Sequence, residues 1–276
     1  MGRAVRVMRS SAFLFAYTIY MMLALGVGQR LLLWPAIWLF PRHRRRLIRS
    51  WLRFHSRSTL GIAHAIANVR LTVTGSIPPE SCIVVMNHQS VLDIPIGLSL
   101  VPGPYPLIPT RDRYRWGIPG ISPLGRLAGF PFLSQKRALS RAELGALTDA
   151  AERVARGENS LLIFPEGHRS RDGGLARFMR NGLRIMLSHA ERPVYCVAVR
   201  GMVNARTFAD GLANFADLDV RVKISERLAP PARDSDQQAL DVFIESLRER
   251  MLGMLGELDA EAVSPAGSGT SERADA

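Results

Sequence analysis

The first 79 residues hold 12 arginines and no aspartate or glutamate; Glu80 is the first acidic side chain. The same segment holds an uncharged run, residues 11–28 (SAFLFAYTIYMMLALGVG), and a second apolar run, residues 31–40 (LLLWPAIWLF), separated by Gln29 and Arg30. A segment both cationic and apolar constrains the fold, because its apolar part must be covered and its arginines need anions or water. The remaining 197 residues carry 24 basic and 24 acidic side chains, so the net charge of +12 resides in the N-terminal arm. A uniformly basic nucleic-acid binder is thereby excluded, and no nucleic-acid partner is expected.

The first apolar run sits at the lower length limit for crossing a hydrocarbon core about 30 Å thick, and the second is too short. Arg3, Arg6 and Arg9 precede the pair, and Arg42, Arg44, Arg45, Arg46, Arg49, Arg53 and Arg57 follow it. Basic flanks favour the cytoplasmic side, so both ends are expected there. A membrane-associated helical hairpin satisfies this, as does a pair of helices with one short and tilted. Trp34, Trp38 and Trp51 are placed as interface anchors, and residues 42–57 are expected to lie on anionic headgroups. A cleaved signal peptide has the same basic and apolar order, but no small-x-small site follows Gly28 and a second apolar run does.

From about residue 69, apolar β-branched runs alternate with helical patterns. Residues 70–74, 82–86, 160–164, 194–199 and 220–224 read as strands. Residues 91–100, 141–156, 177–190 and 236–255 read as helices, with Ser140 and Glu143 forming a capping box. The expected fold class is α/β, a mostly parallel central sheet flanked by helices and preceded by the N-terminal hairpin. The expected organisation is an arm over 1–60, a catalytic α/β domain over 61–257 and a polar, disordered tail over 258–276. Two cysteines, Cys82 and Cys196, exclude a disulfide scaffold and supply no zinc-type pair; Cys82 reads as core rather than nucleophile.

Chemistry concentrates just after two strand runs, where parallel sheets place their ligands. The first site is Asn87-His88-Gln89-Ser90-Val91-Leu92-Asp93. The spacing lets Asp93 reach one ring nitrogen of His88 and leave the other as a base; a structural, turn-capping histidine is the alternative. The second is Phe164-Pro165-Glu166-Gly167-His168-Arg169-Ser170. It offers a carboxylate, a glycine for close backbone approach, and a guanidinium suited to phosphate or carboxylate; a polar turn with a Glu166–Arg169 ion pair is the alternative. No HExxH motif or close histidine pair indicates a metal.

Taken together, NHxxxxD and, about 75 residues on, FPEGxRS resemble the lysophospholipid and glycerolphosphate acyltransferase family, nearest to those acting on 1-acylglycerol 3-phosphate. The resemblance spans roughly residues 70–205, with His168 where threonine is usual. It implies a membrane-bound enzyme that moves a fatty acyl group from acyl-CoA or acyl carrier protein to the free sn-2 hydroxyl of a lysophospholipid, yielding phosphatidic acid. No cofactor is expected beyond the thioester co-substrate. It implies catalytic roles for His88, the general base, and Asp93, which orients it. Asn87, Glu166, Gly167 and Arg169 become substrate-binding candidates, Glu166 to bind the acceptor glycerol or to orient Arg169. Lys136 or Arg137, in the family's intervening basic block, is expected beside Arg169 on the acceptor phosphate. Another lysolipid acceptor (a lyso-ornithine lipid or lysophosphatidylglycerol) and a non-catalytic membrane adaptor remain open.

Overall fold

The structure is a computed structural model that describes residues 2–134, 139–233 and 235–263. At its centre is a six-stranded sheet, ordered β1-β8-β7-β2-β6-β3. Its strands are β1 (Arg70–Thr74), β2 (Ile83–Met86), β3 (Pro106–Leu107), β6 (Ser160–Ile163), β7 (Val194–Arg200) and β8 (Asp219–Ile224). All pairings are parallel except β7 with β8. The expectation of a mostly parallel α/β sheet is borne out. β2 and β6 are buried along their whole length, which is why they read as unbroken apolar runs. β8 alternates, with Val220, Val222 and Ile224 turned inward. The short strands β4 (Thr110–Arg111) and β5 (Phe132–Leu133) pair separately.

Both faces of the sheet are covered. Ile83, Val85, Leu161 and Ile163 pack on α6 (Arg141–Ala155), α7 (Arg180–Ala190) and α9 (Gln237–Val263). Val84, Met86 and Leu162 pack on α4 (Asp93–Leu100), the C-terminal half of α3 (Arg44–Ala67) and Phe13 of the arm. The capping box of α6 forms as read from the sequence, with Ser140 accepting from Glu143 N and Glu143 accepting from Ser140 N. α9 continues to Val263, so residues 258–263 are helix rather than tail.

The arm departs from expectation in three respects. First, Gln29 and Arg30 do not break it. α1 (Arg3–Tyr20), a π-helical stretch (Met21–Leu33) and α2 (Trp34–Leu39) form one continuous helix. Arg30 stays within it by donating to Gly26 O, and Pro35 falls in the first turn of α2, where hydrogen-bonding register changes. The chain reverses only at Pro41–His43, and α3 returns. Second, the expected boundary at residue 60 falls inside α3, and the arm is built into the body: Phe13 packs edge-on to Phe215 at 5.1 Å, and Arg9 pairs with Asp217 at 3.2 Å. Third, several arginines expected on headgroups fasten α3 instead. Arg44 donates to Leu127 O, Arg45 pairs with Glu158, and Arg49 and Arg53 donate to Pro102 O just past α4, where a helix's C-terminal partial charge favours cations. Trp51 is no interface anchor either, since it packs between Gly28 and His55.

What remains exposed on the arm is apolar. Over the most hydrophobic window of Arg3–Leu39 only 22% is buried. Phe15, Leu23, Leu31, Leu32 and Trp38 are all at least 60% exposed. A soluble core helix would bury that surface.

Candidate active site

The two motifs meet because β2 and β6 are adjacent and parallel. Their register pairs Val85 with Ile163, an offset of 78 residues. Carried three residues beyond that pair, the offset sets His88 opposite Glu166, and the contact there is direct: His88 N donates to Glu166 Oε1 at 3.0 Å. From the other side Ser170 N donates to His88 O at 2.7 Å. The loop after β6 therefore grips the backbone of the histidine at both its donor and its acceptor.

Asp93 is the first residue of α4 and is wholly buried. Its Oδ2 lies 2.7 Å from His88 Nδ1 and accepts from Gln89 N and Ser90 N at 2.6 and 2.7 Å. With Oδ2 already accepting from both backbone N–H groups, its bond to the ring is one in which Nδ1–H donates, which holds Nδ1 as the protonated nitrogen. Nε2 then carries the lone pair, and it has no partner among the described residues. The imidazole stacks on Phe164, ring centroids 4.2 Å apart and 26° between planes, with its side chain 13% exposed. One face is thus covered by an apolar ring while an edge stays accessible, the arrangement a general base requires.

Asn87 and Glu166 are used differently from the sequence expectation of substrate binding. Asn87 is buried; its Nδ2 donates to Val199 O at 3.0 Å and its Oδ1 accepts from Val199 N at 2.7 Å. It extends the β2–β7 ladder with its side chain, both polar atoms of which bond Val199. Glu166 is also buried, with Oε1 on His88 N and Oε2 accepting from Ala176 N at 2.9 Å. It neither faces solvent nor touches Arg169 by an ion pair; it ties three loop segments together. Burial raises its pKa above the usual carboxylate value, against those two backbone bonds.

Gly167 adopts φ +68°, and a Cβ there would collide with Met179 Sδ. Its carbonyl accepts from Arg111 at 2.9 Å. Arg169 is partly buried, its Nε enclosed without a hydrogen-bond partner, and burial lowers its pKa. Its charged surroundings include Asp93, Arg111 and Arg113. Arg111, bonded to Gly167 O, and Arg169, two residues on, bring guanidinium groups from two separate loops into one neighbourhood within electrostatic reach of Asp93, an electropositive site for an anion. Lys136 and Arg137 lie outside the described residues. In the sequence Arg111 is one of several charges in Arg111-Asp-Arg-Tyr-Arg-Trp; only the fold shows that β4 turns it onto Gly167.

A cavity of about 740 Å³ adjoins the site, lined among others by Arg111, Leu133, Phe164, Gly167, Arg177 and Met186. Its lining stops short of His88 and Arg169 but includes Phe164, on which His88 rests. Among the described residues no group of three His, Cys, Asp or Glu side chains could hold a metal ion. Both thiols are buried, Cys82 pushed up to about 11 and Cys196 to about 12, values that leave neither nucleophilic at neutral pH.

Residues 69–200 match the model of the Acyltransferase family. Curated relatives include human 1-acyl-sn-glycerol-3-phosphate acyltransferase beta, 29% identical over 41% of this chain and 39% of the relative. The 1-acyl-sn-glycerol-3-phosphate acyltransferase of Borreliella burgdorferi is 28% identical over 48% of this chain and 52% of its own. The chain thus spans about half or less of the length of these relatives. The crystal structure of the 1-acyl-sn-glycerophosphate acyltransferase PlsC from Thermotoga maritima superposes with a TM-score of 0.69 at 22% identity, covering 94% of this chain and 98% of that one. That likeness shows the fold, arm included.

Proposed function

We propose that the protein, whose residues 69–200 match the Acyltransferase model, transfers a fatty acyl group from a thioester, acyl-CoA or acyl carrier protein, to the sn-2 hydroxyl of 1-acylglycerol 3-phosphate at a membrane surface. The observation that carries this reading is the Asp93–His88 pair at 2.7 Å, its imidazole side chain partly exposed, held against the loop that carries Glu166 and Arg169. His88 Nε2 takes the proton of the acceptor hydroxyl as its oxygen attacks the thioester carbonyl. The C–S bond then breaks, and the thiolate recovers a proton from the imidazolium. Asp93 stabilises that imidazolium. General-base assistance of this kind contributes about 10² to 10⁴-fold. Arg169, with Arg111 nearby, holds the acceptor phosphate, a task suited to guanidinium groups.

The exposed apolar helix supports a membrane location, and the arginines flanking it are the basis for assigning the active site to the cytoplasmic face. A lysolipid then never leaves the bilayer, avoiding about 0.8 kcal/mol per CH₂ exposed to water. The test is turnover of labelled palmitoyl-CoA with a panel of lysolipids. Preference for lysophosphatidate is expected; equal use of a lyso-ornithine lipid refutes the acceptor assignment. Transfer surviving His88→Ala refutes the base assignment, and Arg169→Ala is expected to raise acceptor KM about tenfold or more, the loss of one charge-assisted contact.

A further inference from the structure

The loop between β4 and α5 (Ile121–Ala128) holds a tryptophan out to solvent that the chemistry above does not use. Trp116 is 65% exposed and Ile121 40%. The loop is rigidly built. Ser122 Oγ donates to Tyr114 O and accepts from Ile118 N, and Arg126 donates to Arg115 O. Gly120, at φ +77°, seats directly on Leu25 and Gly26 of the long apolar helix, where a Cβ would clash with Leu25. The indole is therefore presented to its surroundings by a fixed scaffold. The Arg126 guanidinium lies 4.0 Å over its ring, and Arg113, earlier in the same loop, is exposed and rests on the Tyr114 ring.

The location adds the second argument. One end of α5 sits on Leu25 and Gly26, and near its other end Leu127 O accepts from Arg44 at the arm's turn. Loop and α5 thus run alongside the stretch of helix that exposes Val27, Leu31, Leu32, Trp34 and Trp38. An exposed tryptophan and an exposed isoleucine, Trp116 and Ile121, are carried by an element seated on the arm, with the Arg126 guanidinium over the indole. Tryptophan, a branched aliphatic and arginines make up the composition that settles at a headgroup–acyl boundary.

We infer that residues 113–126 form a second bilayer contact, in which Trp116 and Ile121 enter the acyl–headgroup boundary and Arg113 and Arg126 meet the phosphates of anionic lipids. This rests on reading the arm as membrane-bound. Its consequence is orientation. A single helix leaves the catalytic domain free to rotate about it; a second contact fixes that rotation. Arg111, which lines the cavity, directly precedes the loop, so the mouth of the site is held at the bilayer surface.

Both native cysteines are buried, so a nitroxide can be attached to the full chain through Trp116→Cys, with Trp38→Cys reporting on the arm and Val242→Cys, 64% exposed on α9, as the aqueous control. In nanodiscs of phosphatidylcholine and phosphatidylglycerol, the label at position 116 is expected to collide more with dissolved oxygen than with a water-soluble nickel chelate, as at 38 and opposite to 242. A label at 116 that favours the chelate while 38 favours oxygen overturns the inference and leaves the arm reading standing; chelate preference at both overturns both. A label at 116 shielded from both reagents marks a protein contact and overturns it too. Trp116→Glu is expected to raise KM for bilayer-borne lysolipid several-fold while leaving turnover of a short-chain, water-soluble acceptor unchanged; a matching loss on both substrates overturns the inference.

Discussion

Replacing Asp93 by asparagine separates charge from geometry at the Asp93–His88 pair. Oδ2 accepts three hydrogen bonds, from His88 Nδ1, Gln89 N and Ser90 N, whereas Oδ1 is buried without a partner. The amide oxygen of asparagine must therefore take the Oδ2 position, because an NH₂ there would oppose two backbone donors. Imidazole orientation and tautomer survive, and the negative charge does not. Two unit charges about 4 Å apart at an effective dielectric near 20 attract by about 4 kcal/mol, and each 1.36 kcal/mol is tenfold in rate. With the hydrogen bond itself retained, a fall in kcat of about 10² to 10³ is expected. The amide NH₂ left in the buried Oδ1 position costs about 1–3 kcal/mol of stability. The assay is steady-state acyl transfer from palmitoyl-CoA to lysophosphatidate in mixed micelles, resolving kcat from acceptor KM, alongside thermal unfolding in the same detergent. An Asp93→Asn protein that keeps a third of wild-type kcat refutes the reasoning. So does one whose loss lies entirely in KM.

Asn87→Ala strips two buried hydrogen bonds from Val199 and is expected to lower unfolding free energy by about 2 kcal/mol or more with acceptor KM little changed; a KM effect without loss of stability would restore a binding role. Glu166→Gln turns one amide hydrogen against a backbone N–H, His88 or Ala176, and is expected to cost about 1–3 kcal/mol and to lower kcat more than it raises KM, the two being separable in a substrate titration. Glu143 is held down to about 2, first by the Ser140 hydroxyl and then by the backbone N–H groups of Ser140 and Ser134. Its folded-state value lies below the ordinary 4.5, so its contribution to stability is full above pH 4.5 and drains as pH falls toward 2. Glu143→Gln should flatten unfolding profiles across that range, and an unchanged acid slope contradicts the assignment.

Much of this was legible along the chain, for local reasons. β2 and β6 declared themselves because strands covered on both faces carry no polar alternation. The His88–Asp93 pairing was readable because five residues across a turn into a helix suffice to bring the two side chains together. The capping box at Ser140 is likewise a short-range fact. The arm's apolar and cationic composition fixed its need for cover, but not how that need is met. Arg44, Arg45, Arg49 and Arg53 looked available to lipid, since no sequence pattern tells that Pro102 O and Glu158 lie within their reach.

The one-dimensional text thus settled which strands are interior, which imidazole has a carboxylate in range, and where the cationic excess resides. The tertiary structure alone decided that Asn87 and Glu166 serve backbone rather than ligand, and that Arg111 stands with Arg169. It also decided that the antiparallel β8 separates β1 from β7. Those outcomes depend on the 78-residue register between β2 and β6 and on partners far apart in sequence, Asn87 and Val199 by 112 residues and Arg70 of β1 and Asp219 of β8 by 149. A polar side chain's role is set by which donors and acceptors surround it after folding. Residues that distant in sequence become neighbours only once the sheet has closed.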